Sequence, residues 1–175
     1  VDPGYDTNYA IRIATKHGYL EMVQLLLNDE RVDPGAFDNY SIKIACEKNY
    51  IEIAKILLSN NKVHVGATNN NAIRIASENG HQQIVKLLLA NQYVDPTAIN
   101  NYALKKACKN NHTEVIKLLL NDDRINPSVS NGYPLIQASN NNNIEIVKLL
   151  LNDKRLNSSD NYGDALYTAA KKGHI

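Results

Sequence analysis

The chain has 175 residues, a formal net charge of +1, two cysteines and no tryptophan. This near-neutral charge predicts no whole-chain attraction to nucleic acid or to acidic membranes. The longest apolar run is four residues. A membrane-spanning helix needs about 20, so we expect no membrane partner.

A short amphipathic segment recurs along the chain at a constant step of 31 residues, starting at positions 21, 52, 83, 114 and 145. A fixed step without insertions indicates a solenoid, in which neighbouring repeats cover each other's apolar residues. Both ends interrupt the repeat pattern, so we expect a piece of a longer array. The predicted single array over residues 1–175 comprises repeats 1–31, 32–62, 63–93, 94–124 and 125–155 and the partial repeat 156–175.

Each repeat opens with a segment, here called the finger, that usually carries an apolar residue followed by Asp-Pro or Asn-Pro. Proline fixes φ and lacks an N–H donor, which favours extended chain over helix. The third repeat departs from this pattern with Val63-His64-Val65. The regular fingers are Val1-Asp2-Pro3, Val32-Asp33-Pro34, Val94-Asp95-Pro96 and Ile125-Asn126-Pro127.

The first helix of each repeat is predicted to start at a position that holds only Asn or Gly, because these residues tolerate left-handed backbone or cap a helix. Apolar residues then recur at i and i+3, which gives each helix one buried face. The predicted start positions are Asn8, Asn39, Asn70, Asn101, Gly132 and Gly163. The buried pairs are Ile11 with Ala14, Ile42 with Ala45, Ile73 with Ala76, Leu104 with Ala107, Leu135 with Ala138 and Leu166 with Ala169.

A second Asn or Gly position predicts a left-handed cap that ends each first helix. The second helix is leucine-rich and is expected to end near Asn28, Asn60, Asn91, Asn121 and Asn152. We interpret its charged pairs, Glu52 with Lys55, Glu114 with Lys117 and Glu145 with Lys148, as solvated surface. The predicted caps are Gly18, Asn49, Gly80, Asn111, Asn142 and Gly173.

This pattern of finger, short helix, tight turn and leucine-rich helix resembles the ankyrin repeat. Residues 80–89 follow the family's G-H-x-E-I-V-x-L-L-L with Gln83 in place of Glu, and residues 133–138 follow its T-P-L-H-x-A with Tyr133 and Ile136 in place of Thr and His. The resemblance covers the whole chain and implies an all-α solenoid of stacked helix-turn-helix units with short β-turn or finger connections. A tetratricopeptide array is the alternative, but its repeats have 34 residues and lack an Asp-Pro finger.

The chain also departs from the family pattern. Its repeat is two residues short, and the histidine of T-P-L-H is replaced, so we expect the inter-repeat hydrogen bonds that this histidine makes to be lost. The short, Asn-rich repeats resemble those of large DNA viruses of amoebae, which predicts a viral protein. The replacing residues are Arg12, Lys43, Arg74, Lys105, Ile136 and Tyr167.

No sequence pattern for catalysis, phosphate binding or metal binding is present. We therefore predict a protein without enzymatic activity, cofactor, metal or small-molecule substrate. Cys46 and Cys108 occupy one repeat position two repeats apart, roughly 20 Å at ~10 Å per helix layer, too far for a disulfide. Unpaired cysteines fit an intracellular location, in the cytoplasm or in a host cell's cytoplasm or nucleus.

The resemblance implies a scaffold that binds a protein partner through a concave face formed by fingers and first helices. At those positions the sequence has a tyrosine ladder (Tyr9, Tyr40, Tyr102, Tyr133) and a basic ladder (Arg12, Lys43, Arg74, Lys105), spaced i, i+3. Tyrosine and arginine are enriched in binding hot spots. Lys16, Glu47, Glu78 and Lys109 extend the stripe. The candidate partner-binding residues are Tyr9, Arg12, Tyr40, Lys43, Arg74, Tyr102, Lys105, Lys109 and Tyr133.

Three alternatives stay open at this point. The ladders are structural if the tyrosines fill the gap left by the missing Thr-Pro and the cations pair with Asp29, Asp122 or Asp153. Nucleic-acid binding along the basic stripe is disfavoured by the net charge and by the glutamates within the stripe. The chain also fits a spacer, or the substrate-recognition arm of a larger adaptor or effector. If the ladders do not bind, the finger tips around Phe37, Asp38, Thr68, Ile99 and Asn100 are the next candidates.

Overall fold

The structure is a computed structural model that describes residues 3–156 and 162–174, with side chains described from residue 8 onward. Throughout these residues the regular secondary structure is helical, in eleven helices without a strand, which confirms the all-α prediction. The helices are α1 (Pro3–His17), α2 (Leu20–Leu27), α3 (Ala36–Glu47), α4 (Ile51–Leu58), α5 (Ala67–Glu78), α6 (Gln82–Leu89), α7 (Ala98–Lys109), α8 (Thr113–Leu120), α9 (Val129–Asn140), α10 (Ile144–Leu151) and α11 (Tyr162–Lys171).

First and second helices alternate along the chain with the predicted period. Each second helix, from α2 to α10, has eight residues and ends at its last leucine, within two residues of the predicted position. Isolated helices of this length are not stable in water, so packing of their apolar faces must hold them. The fingers at 32–34, 94–96 and 125–127 lie outside helices, as predicted. In the first finger the prediction is wrong for Pro3, which is the first residue of α1, and Val1-Asp2 lies outside the described residues.

The turn between the two helices of each repeat is left-handed at all six predicted positions. Gly18, Gly80 and Gly173 have φ of 74°, 76° and 71°. Asn49 and Asn111 have φ of 61° and 59°, and Asn142 follows with 53°. Glycine and asparagine adopt this region at low cost, so these turns were readable from residue type alone.

The start of the first helices differs from the prediction. The helical segments α3, α5, α7 and α9 begin three residues before the predicted Asn or Gly, and their next three residues are left-handed, with φ from 52° to 77°. The right-handed helix therefore starts only after the predicted residue. Sequence reasoning missed the first left-handed residues because types such as Phe37, Thr68 and Ile99 rarely adopt positive φ. Helices α1 and α11 begin five residues and one residue before the predicted Asn8 and Gly163.

The chain divides into two compact units. Unit 1 comprises residues 1–76 and 83–95, and within it α1 packs on α2 and α3, while α4 packs on α2 and α3. Its core consists of aliphatic side chains at the predicted positions of both helix types. The largest fully buried side chains of unit 1 are Ile11, Ile42, Leu57, Ile73, Ile84 and Leu88.

Unit 2 comprises residues 77–82 and 96–175. Within it α7 packs on α8 and α9, α8 packs on α10, and α9 packs on α10 and α11. Its largest fully buried side chains are Leu104, Ile116, Leu119, Ile125, Ile146 and Leu150.

The predicted burial of the sixth apolar pair is wrong for one residue. Ala169 is buried, but Leu166 is 62% exposed. In the preceding repeats a second helix follows and covers this position, and no second helix follows α11 among the described residues. Leu166 instead borders an apolar groove of about 400 Å³ against Ile144 and Leu151.

Candidate functional site

In three fingers, an asparagine at the end of the left-handed segment ties that finger to the next one. The Oδ1 atoms of Asn39, Asn70 and Asn101 accept hydrogen bonds from backbone N–H groups 25 residues later, at 2.7, 2.7 and 3.2 Å. All three side chains are buried. These bonds link the repeats although the family's histidine is missing, so the expected loss of inter-repeat bonding is offset by asparagine. The sequence prediction explained these asparagines by backbone geometry alone. Their recurrence in consecutive repeats was a signal that could have indicated a side-chain bond between repeats.

Two tyrosines of the ladder, Tyr40 and Tyr102, follow directly after Asn39 and Asn101, whereas Tyr133 follows Gly132. Tyr9 is 57% exposed, whereas Tyr40, Tyr102 and Tyr133 are half-buried. Part of each inner ring thus packs against the protein, and part faces solvent. Burial is the largest cause that acts on the Tyr133 phenol, and it raises the pKa of this group above its usual value.

Arg12 lies at the centre of an aromatic cluster in unit 1. Its guanidinium carbon is 3.7 Å from the centroid of the Phe37 ring, 5.5 Å from Tyr9 and 6.0 Å from Tyr40. Its Nε donates a hydrogen bond to the Asn8 carbonyl at 3.2 Å. Cation–π contact of this kind orients a guanidinium and leaves its edge donors in the plane of the group. Sequence spacing placed Arg12 and Tyr9 on one stripe, whereas the contact of Arg12 with Phe37 depends on the left-handed finger.

The other members of the basic ladder differ from Arg12. Arg74 donates from Nε to the Asn69 carbonyl at 3.0 Å, and its Nη2 is 3.5 Å from the Thr68 carbonyl. This arginine therefore braces the left-handed turn of its own finger. Lys43 and Lys105 are half-buried on α3 and α7.

In unit 2 the stripe contains a polar network centred on Glu78. Its carboxylate accepts from Lys106 Nζ at 2.7 Å and from the Tyr102 hydroxyl at 3.3 Å, and Lys106 lies 5.1 Å from the centroid of the Tyr102 ring. The Glu78 carbonyl accepts from Asn110 Nδ2 at 2.7 Å and lies 2.9 Å from His112 Nε2. Sequence reasoning placed Glu78 on the stripe but did not find Lys106, which lies one residue beyond the ladder.

This network shifts the ionisation of both charged partners. The hydrogen bond from Lys106 is the largest cause that lowers the pKa of Glu78, and the charge of Lys109 lowers it further. The same hydrogen bond is the largest cause that raises the pKa of Lys106. Lys109 itself is exposed. The network is thus an ion pair that joins two consecutive repeats at the edge of the candidate surface.

The structural alternative paired the basic ladder with Asp29, Asp122 or Asp153, but these aspartates bind other arginines. Each binds the arginine two residues later, because the tight turn after the second helix brings the two side chains together. The hydrogen bond from Arg31 lowers the pKa of Asp29 to about 2. The observed pairs are Asp29 with Arg31 at 2.6 Å, Asp122 with Arg124 at 2.6 Å and Asp153 with Arg155 at 2.7 Å.

The second helices carry the predicted surface ion pairs, with one change. Lys55 binds Glu52 at 2.6 Å. Lys117 binds Glu114 at 2.8 Å and also Glu145 of the next repeat at 2.6 Å, so Glu145 is bound by Lys117 and not by the predicted Lys148. Stacked helices bring equivalent positions close together, which a single-helix pattern does not show. These side chains are largely exposed, so each pair contributes little to stability.

Comparisons with known proteins agree with this geometry. The sequence matches the family model described as ankyrin repeats (3 copies) in overlapping segments over residues 9–100, 42–131, 75–160 and 104–175. The chain belongs to the ankyrin repeat family. Ankyrin repeats are a non-enzymatic fold that generally mediates protein–protein interaction, and ankyrin repeat domains bind protein partners.

Two solved ankyrin repeat structures are similar along almost the whole chain. The crystal structure of EF0377, an ankyrin repeat protein, has a TM-score of 0.75 and 28% identity, with 95% of this chain and 93% of that chain covered. The ankyrin repeat domain of Bcl-3, described as a unique member of the IkappaB protein family, has a TM-score of 0.73 and 23% identity, with 94% and 80% covered. The second likeness shows the fold alone. No curated protein sequence matched.

The structure adds three observations on chemistry within the ankyrin repeats. Cys46 and Cys108 are free and buried, and burial raises the pKa of the Cys46 thiol to about 12. Among the described side chains, no group of three His, Cys, Asp or Glu residues is arranged to hold a metal ion. None of the described helices combines the length and apolar character needed to cross a membrane.

Proposed function

We propose that this chain is a protein-binding scaffold whose contact face is formed by the fingers and the first helices. The predicted residues on that face are Tyr9, Arg12, Tyr40, Lys43 and Arg74 in unit 1 and Tyr102, Lys105, Lys109 and Tyr133 in unit 2.

The observation that carries this proposal is the aromatic cluster around Arg12. Phe37 is 60% exposed and Tyr9 is 57% exposed, although both are large rings that gain free energy when covered. Arg12 stacks on Phe37, and none of the carboxylates on described side chains forms a salt bridge with it. Two exposed rings around an arginine are the chemistry that dominates binding hot spots.

A protein partner is favoured over nucleic acid for this face. The formal net charge is +1, and Glu47 and Glu78 lie within the same stripe as the cations. Binding to a phosphate backbone releases counterions and weakens steeply with salt. A protein with several phosphate contacts loses ~10³–10⁵ in affinity for nucleic acid between 50 and 200 mM salt. We expect the affinity of this chain for its protein partner, measured by calorimetry, to change less than ten-fold over the same range.

We also propose an intracellular location. Both thiols are free and buried, which suits a reducing compartment. Expression of the tagged chain in eukaryotic cells, followed by fractionation, tests this. Recovery mainly in a secreted or vesicle-enclosed fraction would contradict it.

The binding face can be tested by selection followed by matched variants. Peptides that bind the full chain are selected from a phage library, and their affinities are measured by calorimetry. We expect Tyr9→Ser with Phe37→Ser to weaken most selected peptides at least ten-fold. The control replaces two exposed apolar residues of the second helix α2, Met22→Ser with Leu25→Ser, and should change affinity less than two-fold.

The melting temperature shows whether a variant loses binding because a contact with the peptide is removed or because the protein is destabilised. All four substituted side chains are largely exposed, so both double variants should melt within a few degrees of the wild type. A strong loss of stability in Tyr9→Ser with Phe37→Ser would make the cluster structural. Peptides that respond to the α2 variant and ignore the cluster variant would place the binding face elsewhere.

A further inference from the structure

In two repeats the cation at the last position caps backbone carbonyls at the end of the preceding repeat and at the start of its own. In unit 1, Lys62 Nζ donates to the carbonyl oxygens of Glu30 and Val32 at 2.5 and 3.1 Å. These carbonyls belong to the turn that follows the C-terminus of α2, and each carbonyl oxygen is an acceptor for the ammonium group. A lysine therefore finds a favourable site there.

Unit 2 contains the same arrangement with arginine. Arg155, 93 residues after Lys62 and at the same repeat position, donates through Nη2 to the Leu120 carbonyl at 2.5 Å. Its Nη1 donates to the carbonyls of Asp122 and Ile125 at 3.0 and 3.3 Å. One guanidinium thus serves the carbonyl of the last residue of α8 and two carbonyls of the turn that follows it.

The third repeat has a tyrosine where the second and fifth have these cations. Tyr93 occupies the position and is 72% exposed. The carbonyls that correspond to Glu30 and Val32, one repeat later, belong to Asn61 and Val63. No lysine or arginine in the described part of the chain donates to these two carbonyls. The same finger lacks the Asp-Pro pair and has His64-Val65 instead.

A groove of about 770 Å³ lies at this finger within unit 1. It is lined by Leu58, Asn61, Val63 and Tyr93, among others, which are the residues that correspond to the capped carbonyls and to the capping cation. The described residues that line it include no lysine, arginine, aspartate or glutamate. The groove is therefore lined by the two residues that bear these carbonyls, by an exposed aromatic ring and by His64, and by no acidic side chain.

We propose that the groove at the third finger binds an arginine side chain of a protein partner. The guanidinium takes the place that Arg155 fills in the fifth repeat and donates to the Asn61 and Val63 carbonyls. Its flat face stacks on the Tyr93 ring, a contact that arginine makes better than lysine. Arginine is favoured because its fixed fork of donors reaches several carbonyls at once, as in unit 2.

The test uses the full chain and two small peptides, so its outcome is independent of the face proposed above. The ¹³C- and ¹⁵N-labelled protein is titrated with acetyl-Gly-Arg-Gly-amide and followed by NMR. The control peptide has citrulline, which keeps the shape of arginine and removes its charge. We expect saturable shifts at the Asn61 and Val63 carbonyls and at Tyr93, with at least ten-fold weaker binding of the citrulline peptide. Equal responses to both peptides, or no response, would overturn the proposal.

The substitution Tyr93→Arg places a cation of the chain itself at the position where the third repeat has tyrosine. Tyr93→Arg should raise the melting temperature and abolish the response to the arginine peptide, because its own guanidinium occupies the carbonyls. The matched control, Leu25→Arg, replaces another exposed apolar residue by arginine and should leave peptide binding unchanged. Both sites are exposed, and circular dichroism confirms folding. Peptide binding retained by a folded Tyr93→Arg protein, or lost equally in Leu25→Arg, would contradict the proposal.

Discussion

At the scale of single residues, Gly80 is required for its backbone conformation and for the space that it leaves. Its φ is 76°, and a Cβ atom built there would lie 2.6 Å from Nδ1 of His112. We expect Gly80→Ala to lower the free energy of unfolding by about 2–4 kcal/mol, from left-handed strain and overpacking together. Urea denaturation measures this change.

The chain offers controls that separate these two causes. Gly173 has φ of 71°, and a Cβ there meets no described atom within 4 Å, so Gly173→Ala should cost only about 1–2 kcal/mol. In a His112→Ala background, the cost of Gly80→Ala should fall to that value. Asn49→Gly should be neutral or mildly stabilising. Equal costs of Gly80→Ala with and without His112 would show that the ring simply moves aside.

The ion pair of Glu78 and Lys106 predicts a pH dependence of stability. Hydrogen bonding from Lys106 holds the pKa of Glu78 below the ordinary 4.5, so the unfolded chain binds this proton more readily. The pair's contribution is therefore present above pH 4.5 and is lost as pH falls through the lowered pKa. Melting temperatures measured from pH 7 to pH 3 should fall less steeply in Glu78→Gln and in Lys106→Met than in the wild type. Unchanged slopes in both variants would contradict this account.

At the scale of the elements, the finger asparagines join one repeat to the next. Asn70 Oδ1 accepts from the Asp95 N–H at 2.7 Å, and the side chain is buried. Asn70→Gly keeps the left-handed backbone accessible but leaves a part-buried donor without its acceptor. We expect a loss of about 1–3 kcal/mol of unfolding free energy in urea titrations.

Asn49→Gly is the matched control for this substitution. Asn49 is also left-handed, with φ of 61°, but its side chain is exposed. The difference between the two Asn→Gly substitutions isolates the hydrogen bond from the backbone effect. If Asn70→Gly is as neutral as Asn49→Gly, the finger-to-finger bond contributes nothing to stability.

At the scale of the whole molecule, we propose one array over residues 1–175, because the 31-residue period continues without insertion. Leu88 is fully buried in unit 1, whereas Leu26 of the first repeat is half-buried. Leu88→Ala should cost about 2–5 kcal/mol of unfolding free energy, in the range of buried leucine truncations, and Leu26→Ala clearly less. Equal costs in urea melts would contradict an array whose interior repeats carry most of the core.

Much of the fold was determined by the sequence itself. The period, the two helices per repeat, the leucine-rich buried faces and all six left-handed turns follow from local rules of residue type and spacing. The residues of a single repeat are enough to define its helices, buried faces and turns. The predicted ladders also fall on the first helices, since the i, i+3 rule holds within one helix.

Only the tertiary structure decided which residues meet across repeats. The asparagine hydrogen bonds span 25 residues, the Glu78–Lys106 pair spans 28, and Arg12 meets Phe37 only because the finger is left-handed for three residues. The pairing of Glu145 with Lys117 has the same origin. These contacts depend on distances set by stacking, which a period read along one chain does not contain. The physical reason is that local propensity fixes each element, whereas packing fixes which surfaces of those elements face each other.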